Sequence, residues 1–232
     1  MACTTIAHAC LRALFDRLPF DPVADFTHIG LLVEAPNVLL VKSESRFKTL
    51  AEYLNAAKTQ PVRFGSSGIG SAPHLLGAML SGEAKVTNLD HVPYRGSAPA
   101  MQDLMANQIE SLIDPITTNV QLMKDGVLRA LAVSSPQRLP AFPNVPTFAE
   151  LGYPQLVALT WFSLSGPAGM PSGVVDKLNK EVRKIMQSQA AKDMLAKSSM
   201  ETFDWDSARF TQYVGEELKQ WAPMIKTVKP EN

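Results

Sequence analysis

The stretch Phe64-Gly65-Ser66-Ser67-Gly68-Ile69-Gly70-Ser71-Ala72-Pro73-His74 joins a short apolar run to a helical one through glycines and serines. Those residue types suit anion binding. Serine hydroxyls donate, and a helix start offers unpaired N–H groups and the positive end of a dipole. Ser71 is placed to cap the helix, and Pro73 fits its first turn, where a missing N–H costs nothing. The quartet Gly70-Ser71-Ala72-Pro73 returns as Gly96-Ser97-Ala98-Pro99, again after an apolar run, 88–94. If the two strands are parallel neighbours, both junctions lie at one sheet edge, where open α/β sheets bind ligands. The expected ligand is a carboxylate or a phosphate.

The loop belongs to none of the common catalytic or nucleotide-binding patterns. Ser71-Ala72 stands where a P-loop has Lys-Ser or Lys-Thr, Pro73 breaks G-x-G-x-x-G, and Ile69 breaks the glycine frame of a nucleophile elbow around Ser67. His74 either hydrogen-bonds the loop as a neutral imidazole or contacts the ligand, since a cation there would oppose the dipole. His91, within a strand, reads as structural. Arg95 pairs a second carboxylate or is solvated, and Asp114 binds a ligand amine or hydroxyl or caps the next turn. No His, Cys, Asp or Glu cluster has metal-ligand spacing and no Ser/His/Asp set assembles, so no cofactor or metal is expected. Binding without chemistry is the leading reading. An α/β enzyme acting on an anionic substrate with His74 as base is the alternative.

The 232 residues suffice for one large or two small domains. Lys plus Arg and Asp plus Glu both number 22, so no net field favours nucleic acid or an anionic membrane, and any anion selectivity is local. No basic run with interleaved aromatics argues for nucleic acid either. No stretch of about 20 apolar residues is present. The first residues lack the basic and apolar regions of a signal peptide, which alone predicts a chain that is not exported. Cys3 and Cys10 fall in a segment read as a helix over 5–17 and its lead-in. Seven residues of helix separate them by about 10 Å, too far for a disulfide.

These residues need elements to hold them. Strands are expected at 29–33 and 38–41, broken at Ala35-Pro36-Asn37, then at 62–64, 86–92, 109–113, 128–133 and 159–165. Helices are expected at 49–58 with Leu50, Tyr53, Leu54 and Ala57 inward, at 74–80, and at 98–105 with Met101, Leu104 and Met105 inward. Thr117, Thr118 or Asn119 caps a helix running to Lys124. Strand and helix alternate over 45–135, predicting a mostly parallel, doubly wound sheet. Pro136, Pro140, Pro143, Pro146 and Pro154 stiffen the next connection, with a short helix at 147–151. A long helix opens at Pro171-Ser172 with Val174, Val175, Leu178, Val182 and Ile185 on one face, followed by helices at 189–197 and 206–225.

Taken together, the string from Phe64 to Ser71 with His74-Leu75, and His91-Val92-Pro93-Tyr94-Arg95-Gly96 with Pro99-Ala100, resembles the substrate-binding proteins of tripartite tricarboxylate transporters, the Bug receptor family. Further matches are Leu18-Pro19-Phe20-Asp21-Pro22 with Asp25-Phe26, Leu128 to Val133, Pro143-Asn144-Val145-Pro146-Thr147 with Glu150, and Trp161-Phe162 with Gly166-Pro167-Ala168-Gly169. The resemblance implies a type II periplasmic binding fold: two α/β lobes, joined by crossing strands, that close over a small organic anion. It implies lobes of 1–44 plus 156–232 and of 45–155, with Trp161 near the hinge. The implied ligand is a di- or tricarboxylate, an acidic amino acid or an aromatic carboxylate, delivered to membrane permease subunits in the periplasm. Ser66, Ser67, Gly68, Gly70, Ser71 and Ala72 would hold one carboxylate, with His74, Tyr94, Gly96 and Asp114 lining the same cleft. Family members begin with a signal peptide, a strand and a second clamp loop, so the resemblance also implies a first lobe truncated at its N-terminus and, as a third reading, a non-binding truncated remnant.

Overall fold

The computed structural model describes residues 2–5, 20–21, 23–197 and 199–225. It divides into two compact units. One holds Ala35–Leu159, the other the residues before Ala35 and after Leu159. The divides expected at 44/45 and 155/156 compare with 34/35 and 159/160 between these units.

The first unit is built on strands β2 (Phe26–Lys42, shared with the second unit), β3 (Val62–Ser66), β4 (Leu89–Pro93), β5 (Ser111–Pro115) and β6 (Leu128–Val133). Their order is β4-β3-β5-β2-β6. β3 runs parallel to β4 and β5, while β2 runs antiparallel to β5 and β6. The expected doubly wound sheet is present with one reversed strand. β2 is continuous where a break at Ala35-Pro36-Asn37 was expected. Pro36 precedes Asn37, where pairing with β5 begins, so its missing N–H removes no bond of that ladder.

Helices α1 (Leu50–Ala57), α2 (Ala72–Glu83), α3 (Ser97–Met105) and α4 (Val120–Lys124) link these strands. In α1 the buried residues are Leu50, Tyr53, Leu54 and Ala57, as the spacing predicts, and Thr49 with Glu52 closes a capping box. α2 lies close on β3 at Gly77, where a Cβ would meet the Phe64 ring at 2.2 Å. In α3, Ala100 and Leu104 are buried but Met105 is 39% exposed, contrary to the inward face expected. A 3₁₀ turn, Ile116–Thr118, precedes α4, whose N-cap position is Asn119, one of the three expected, although its side chain makes no cap hydrogen bond. The proline-rich 136–154 segment forms hydrogen-bonded turns instead of a helix at 147–151. The core of this unit gathers Val38, Leu40, Leu104, Leu112, Ile116 and Val133.

The second unit contains β1 (Ala2–Thr5), which pairs antiparallel with β7 (Leu159–Pro167), and helices α5 (Ser172–Met186), α6 (Gln189–Lys197) and α7 (Ser207–Ile225). Thr5 is in a strand, which corrects the helix expected from there, and Cys3 therefore shares no helix with Cys10. The remainder of 5–17 lies outside the described residues. α5 keeps most of its predicted face inward: Val175 is buried and Leu178 and Val182 half-buried, while Val174 and Ile185, at its margins, are 45% and 61% exposed and Asn179 is buried in addition. Asn179 donates to the Ile29 and Trp205 carbonyls at 2.8 and 3.2 Å. Trp161 is buried and donates through Nε1 to Glu217 Oε2 at 3.3 Å.

Candidate functional site

Parallel pairing of β3 with β4 and β5 brings their C-terminal ends to one edge of the sheet. Ser66 stands opposite Pro93, and Tyr94 N–H donates to the Ser66 carbonyl at 3.1 Å. The loop after β3 and the turns after β4 and β5 therefore share that edge, and all ten sequence-predicted site residues lie on it or in the helix starts behind it.

The loop is held from inside. Ser66 Oγ, fully buried, meets His91 Nε2 at 2.7 Å and accepts from Gly68 N–H at 3.2 Å. Ser71 caps α2 as predicted, accepting from His74 N–H at 3.3 Å, and its hydroxyl donates to the Gly68 carbonyl at 2.7 Å. Gly70 N–H donates to His74 Nδ1 at 3.1 Å. Gly68 has φ +134°, and a Cβ there would stand 3.2 Å from the Tyr94 carbonyl, so glycine is required both for backbone shape and for clearance.

With Nδ1 accepting from Gly70, His74 is a neutral imidazole. Burial lowers its pKa to about 4. His91 stacks on it with ring centres 4.1 Å apart. Burial, and then the neighbouring His74, push His91 down to about 3. Both rings stay uncharged at neutral pH and act as a floor beneath the loop. Ser66, Ala72, His74 and Asp114 present little surface, while Ser67, Gly68, Ser71, Tyr94 and Gly96 are partly exposed. Among the described residues, the N–H groups of Ser67, Ile69 and Ala72 meet no acceptor. Ala72 N–H belongs to the positive end of α2, and Ser67 and Ile69 precede it in the loop.

The second junction is arranged differently. Gly96, at φ +111°, is the N-cap residue of α3 and supplies no side-chain cap. Ser97 is already inside the helix, and its hydroxyl donates to Asp114 Oδ1 at 2.5 Å. Asp114 Oδ2 accepts from Thr118 Oγ1 at 2.6 Å and Asn119 Nδ2 at 2.9 Å. Burial raises the Asp114 pKa, opposed by these three hydrogen bonds. A pocket of about 220 Å³ opens here between α3 and the turn after β5. Sequence reasoning expected Thr118 and Asn119 as helix caps and did not connect them to Asp114, although the spacing Asp114-x-x-x-Thr118-Asn119 allows it. It also missed Asp103, whose Oδ2 accepts from the Tyr94 hydroxyl at 2.7 Å.

Residues 2–229 match the sequence profile of the tripartite tricarboxylate transporter family receptor. The chain belongs to that receptor family. A relative from Pseudomonas sp., described as a UPF0065 protein in the tcbD-tcbE intergenic region, is 35% identical over 92% of this chain and 64% of its own length. The chain thus spans about two thirds of that relative. Among solved structures, the periplasmic binding protein BugD aligns with a TM-score of 0.90 at 28% identity, over 97% of this chain and 76% of BugD. An R. palustris protein solved with adipate aligns with a TM-score of 0.91 at 28% identity, over 97% of this chain and 76% of that one. MatC from Rhodopseudomonas palustris, with bound malate, aligns with a TM-score of 0.89 at 27% identity, over 96% and 78% of the two chains. These alignments carry the periplasmic binding fold expected from the residues. The loop after β3 carries no charged side chain, and three of its backbone N–H groups meet no acceptor among the described residues.

Proposed function

We propose that this receptor-family chain captures a small organic carboxylate and performs no bond-making step. The observation that carries the reading is the set of three unsatisfied N–H groups, at Ser67, Ile69 and Ala72, around a loop already braced by Ser66, Ser71, His74 and His91. Pre-placed neutral donors bind an anion without reorganisation, and they select carboxylates by geometry instead of net charge. The N–H groups of Ser67, Ile69 and Ala72 hold the carboxylate, Gly68, Gly70 and Ser71 shape the loop around it, and Tyr94, Gly96 and Asp114 border it. The relatives solved with adipate and malate support a di-acid of four to six carbons. The general-base alternative loses support because His74 Nδ1 is engaged by Gly70 and the residue is only 7% exposed. The family and the periplasmic relative support delivery to membrane permease subunits from the periplasm.

Isothermal titration of the chain with malate and adipate tests this reading. The expected result is saturable one-to-one binding at micromolar concentration, weakened at least about tenfold by Gly68→Ala. Heat changes that fail to saturate for every di-acid and mono-acid tried would remove the proposal.

A further inference from the structure

A second cavity lies along the other margin of the same unit. β6 is an edge strand: it pairs with β2, and beyond that carries a single bridge, Val133 to Thr147, at its end. β5 and β6 are both antiparallel to β2, and β5 is parallel to β3, so β6 runs in the direction of β3. Its first residues consequently lie at the sheet edge opposite the loops after β3 and β4. Along them opens a groove of about 510 Å³, within the size range of small-molecule sites.

The groove's lining has an unusual balance. Leu128, Leu131, Phe142 and Val145 make it largely apolar, Lys48 and Arg129 are its only charged residues, and no Asp or Glu lines it. Lys48 Nζ donates to the Ser43 carbonyl at 3.1 Å. Arg129 Nη1 is buried and has no hydrogen-bond partner among the described residues. The contrast with nearby Arg138 is direct, since that guanidinium is paired with Glu150 at 2.9 Å. The start of α1 also borders the groove at Thr49, but the Lys48 and Thr49 N–H groups are taken by Glu52 Oε2 at 2.6 and 3.2 Å. Those two donors are therefore unavailable to a ligand, and the unpaired side-chain donor at the groove is the Arg129 guanidinium. A buried guanidinium nitrogen without an acceptor is costly, and a carboxylate is the planar partner that best satisfies its fork.

We propose that this groove is a second, separate anion site that takes a small carboxylate with an apolar body, its head on Arg129 and its body against Leu131, Phe142 and Val145. The apolar walls disfavour a di-acid such as malate, whose second carboxylate would be desolvated without a partner. The groove therefore discriminates against the ligand class assigned to the loop, and the two sites respond to different probes.

The test is a titration of the full isotope-labelled chain with hexanoate, benzoate and malate, followed by amide NMR shifts. Hexanoate or benzoate should shift 128–131 and 142–146 saturably, while malate shifts the loop at 67–72. Gly68→Ala should leave the groove response unchanged. Arg129→Gln should weaken it at least about tenfold and Arg129→Lys less. Absence of groove shifts up to about 10 mM hexanoate and benzoate overturns the proposal, with no variant needed. An unchanged response in a folded Arg129→Gln chain, or equal groove shifts with malate, overturns it as well.

Discussion

Gly70-Ser71-Ala72-Pro73 and Gly96-Ser97-Ala98-Pro99 share four residues, follow neighbouring parallel strands and open helices at one sheet edge, yet they fold into different caps. At the first, Ser71 stands outside the helix and bridges the Gly68 carbonyl and the His74 N–H. At the second, the helix begins one residue earlier in the motif, and Ser97 turns its hydroxyl onto Asp114. The difference lies in what each hydroxyl is offered. A glycine loop folded back over α2 presents a carbonyl and an N–H, whereas the end of β5 presents a carboxylate. At the second, a carboxylate of the protein's own, held by three side chains, stands beside the helix start. One sequence motif thus places a glycine–serine loop over one helix start and a buried carboxylate beside the other.

Removing that internal anion should produce the largest effect. Asp114→Ala strands Ser97, Thr118 and Asn119 donors in a buried setting and should cost about 3 kcal/mol. Hydrogen exchange of β3 and β5 amides reads this within the right unit, because all three tryptophans lie in the other one. Full protection after the substitution would mean that the second junction is not held by its carboxylate. Next in size is Gly68→Ala. Its positive φ and the Tyr94 carbonyl at 3.2 Å make about 2 kcal/mol of strain reasonable, with at least about tenfold weaker carboxylate affinity. Gly96→Ala carries strain but meets no atom within 4 Å, so its effect on affinity should be smaller. Equal losses of affinity would erase the distinction between the junctions.

The same pair shows how far the sequence alone reaches. Ser71 as a cap, the inward face of α1 and the shared sheet edge are local or periodic features, and residue spacing carries them. The Ser97 to Asp114 bond spans two elements, and nothing in either segment alone announces it. Asn179 likewise joins the buried side of α5, a place the apolar pattern gives to no polar residue, because its amide satisfies the Ile29 carbonyl. Pro36 misled for a related reason. It is a strand breaker only where its N–H is needed for a ladder, and the ladder's start is a tertiary fact. The glycine–serine loop is readable as a candidate anion site, but its two-histidine floor is not, since Ser66 and His91 meet only once β3 and β4 align.

Identical single substitutions should separate the junctions at a smaller scale. Ser71→Ala removes an N-cap and should cost about 1 kcal/mol. Ser97→Ala removes a hydrogen bond to a buried carboxylate and should cost about 2 kcal/mol. Ligand affinity should follow the opposite order, falling more for Ser71→Ala, whose loop carries the free N–H groups. Calorimetry with malate and exchange-derived stabilities give the two rankings. Parallel rankings would show that affinity merely tracks stability.

The smallest expected effect is an absence of titration at the first junction between about pH 5 and pH 8, the interval in which an ordinary histidine changes charge. His74 and His91 are lowered to about 4 and 3. Between those values and 6.5 the unfolded chain binds protons that the folded one does not, so their contribution is complete above pH 6.5 and is lost as pH falls through about 4. Asp114 has the opposite sign: with a raised pKa, its contribution is largest below the ordinary aspartate value and declines as pH rises through the folded one. Global melting would mix both with Glu34 of the other unit, which burial raises to about 7. Site-resolved ring NMR is therefore the measurement. Flat His74 and His91 resonances above pH 5, with malate affinity flat alongside them, keep the neutral floor; a ring titrating near 6.5 would place a charge under the loop and turn the first junction from a neutral cradle into an electrostatic trap.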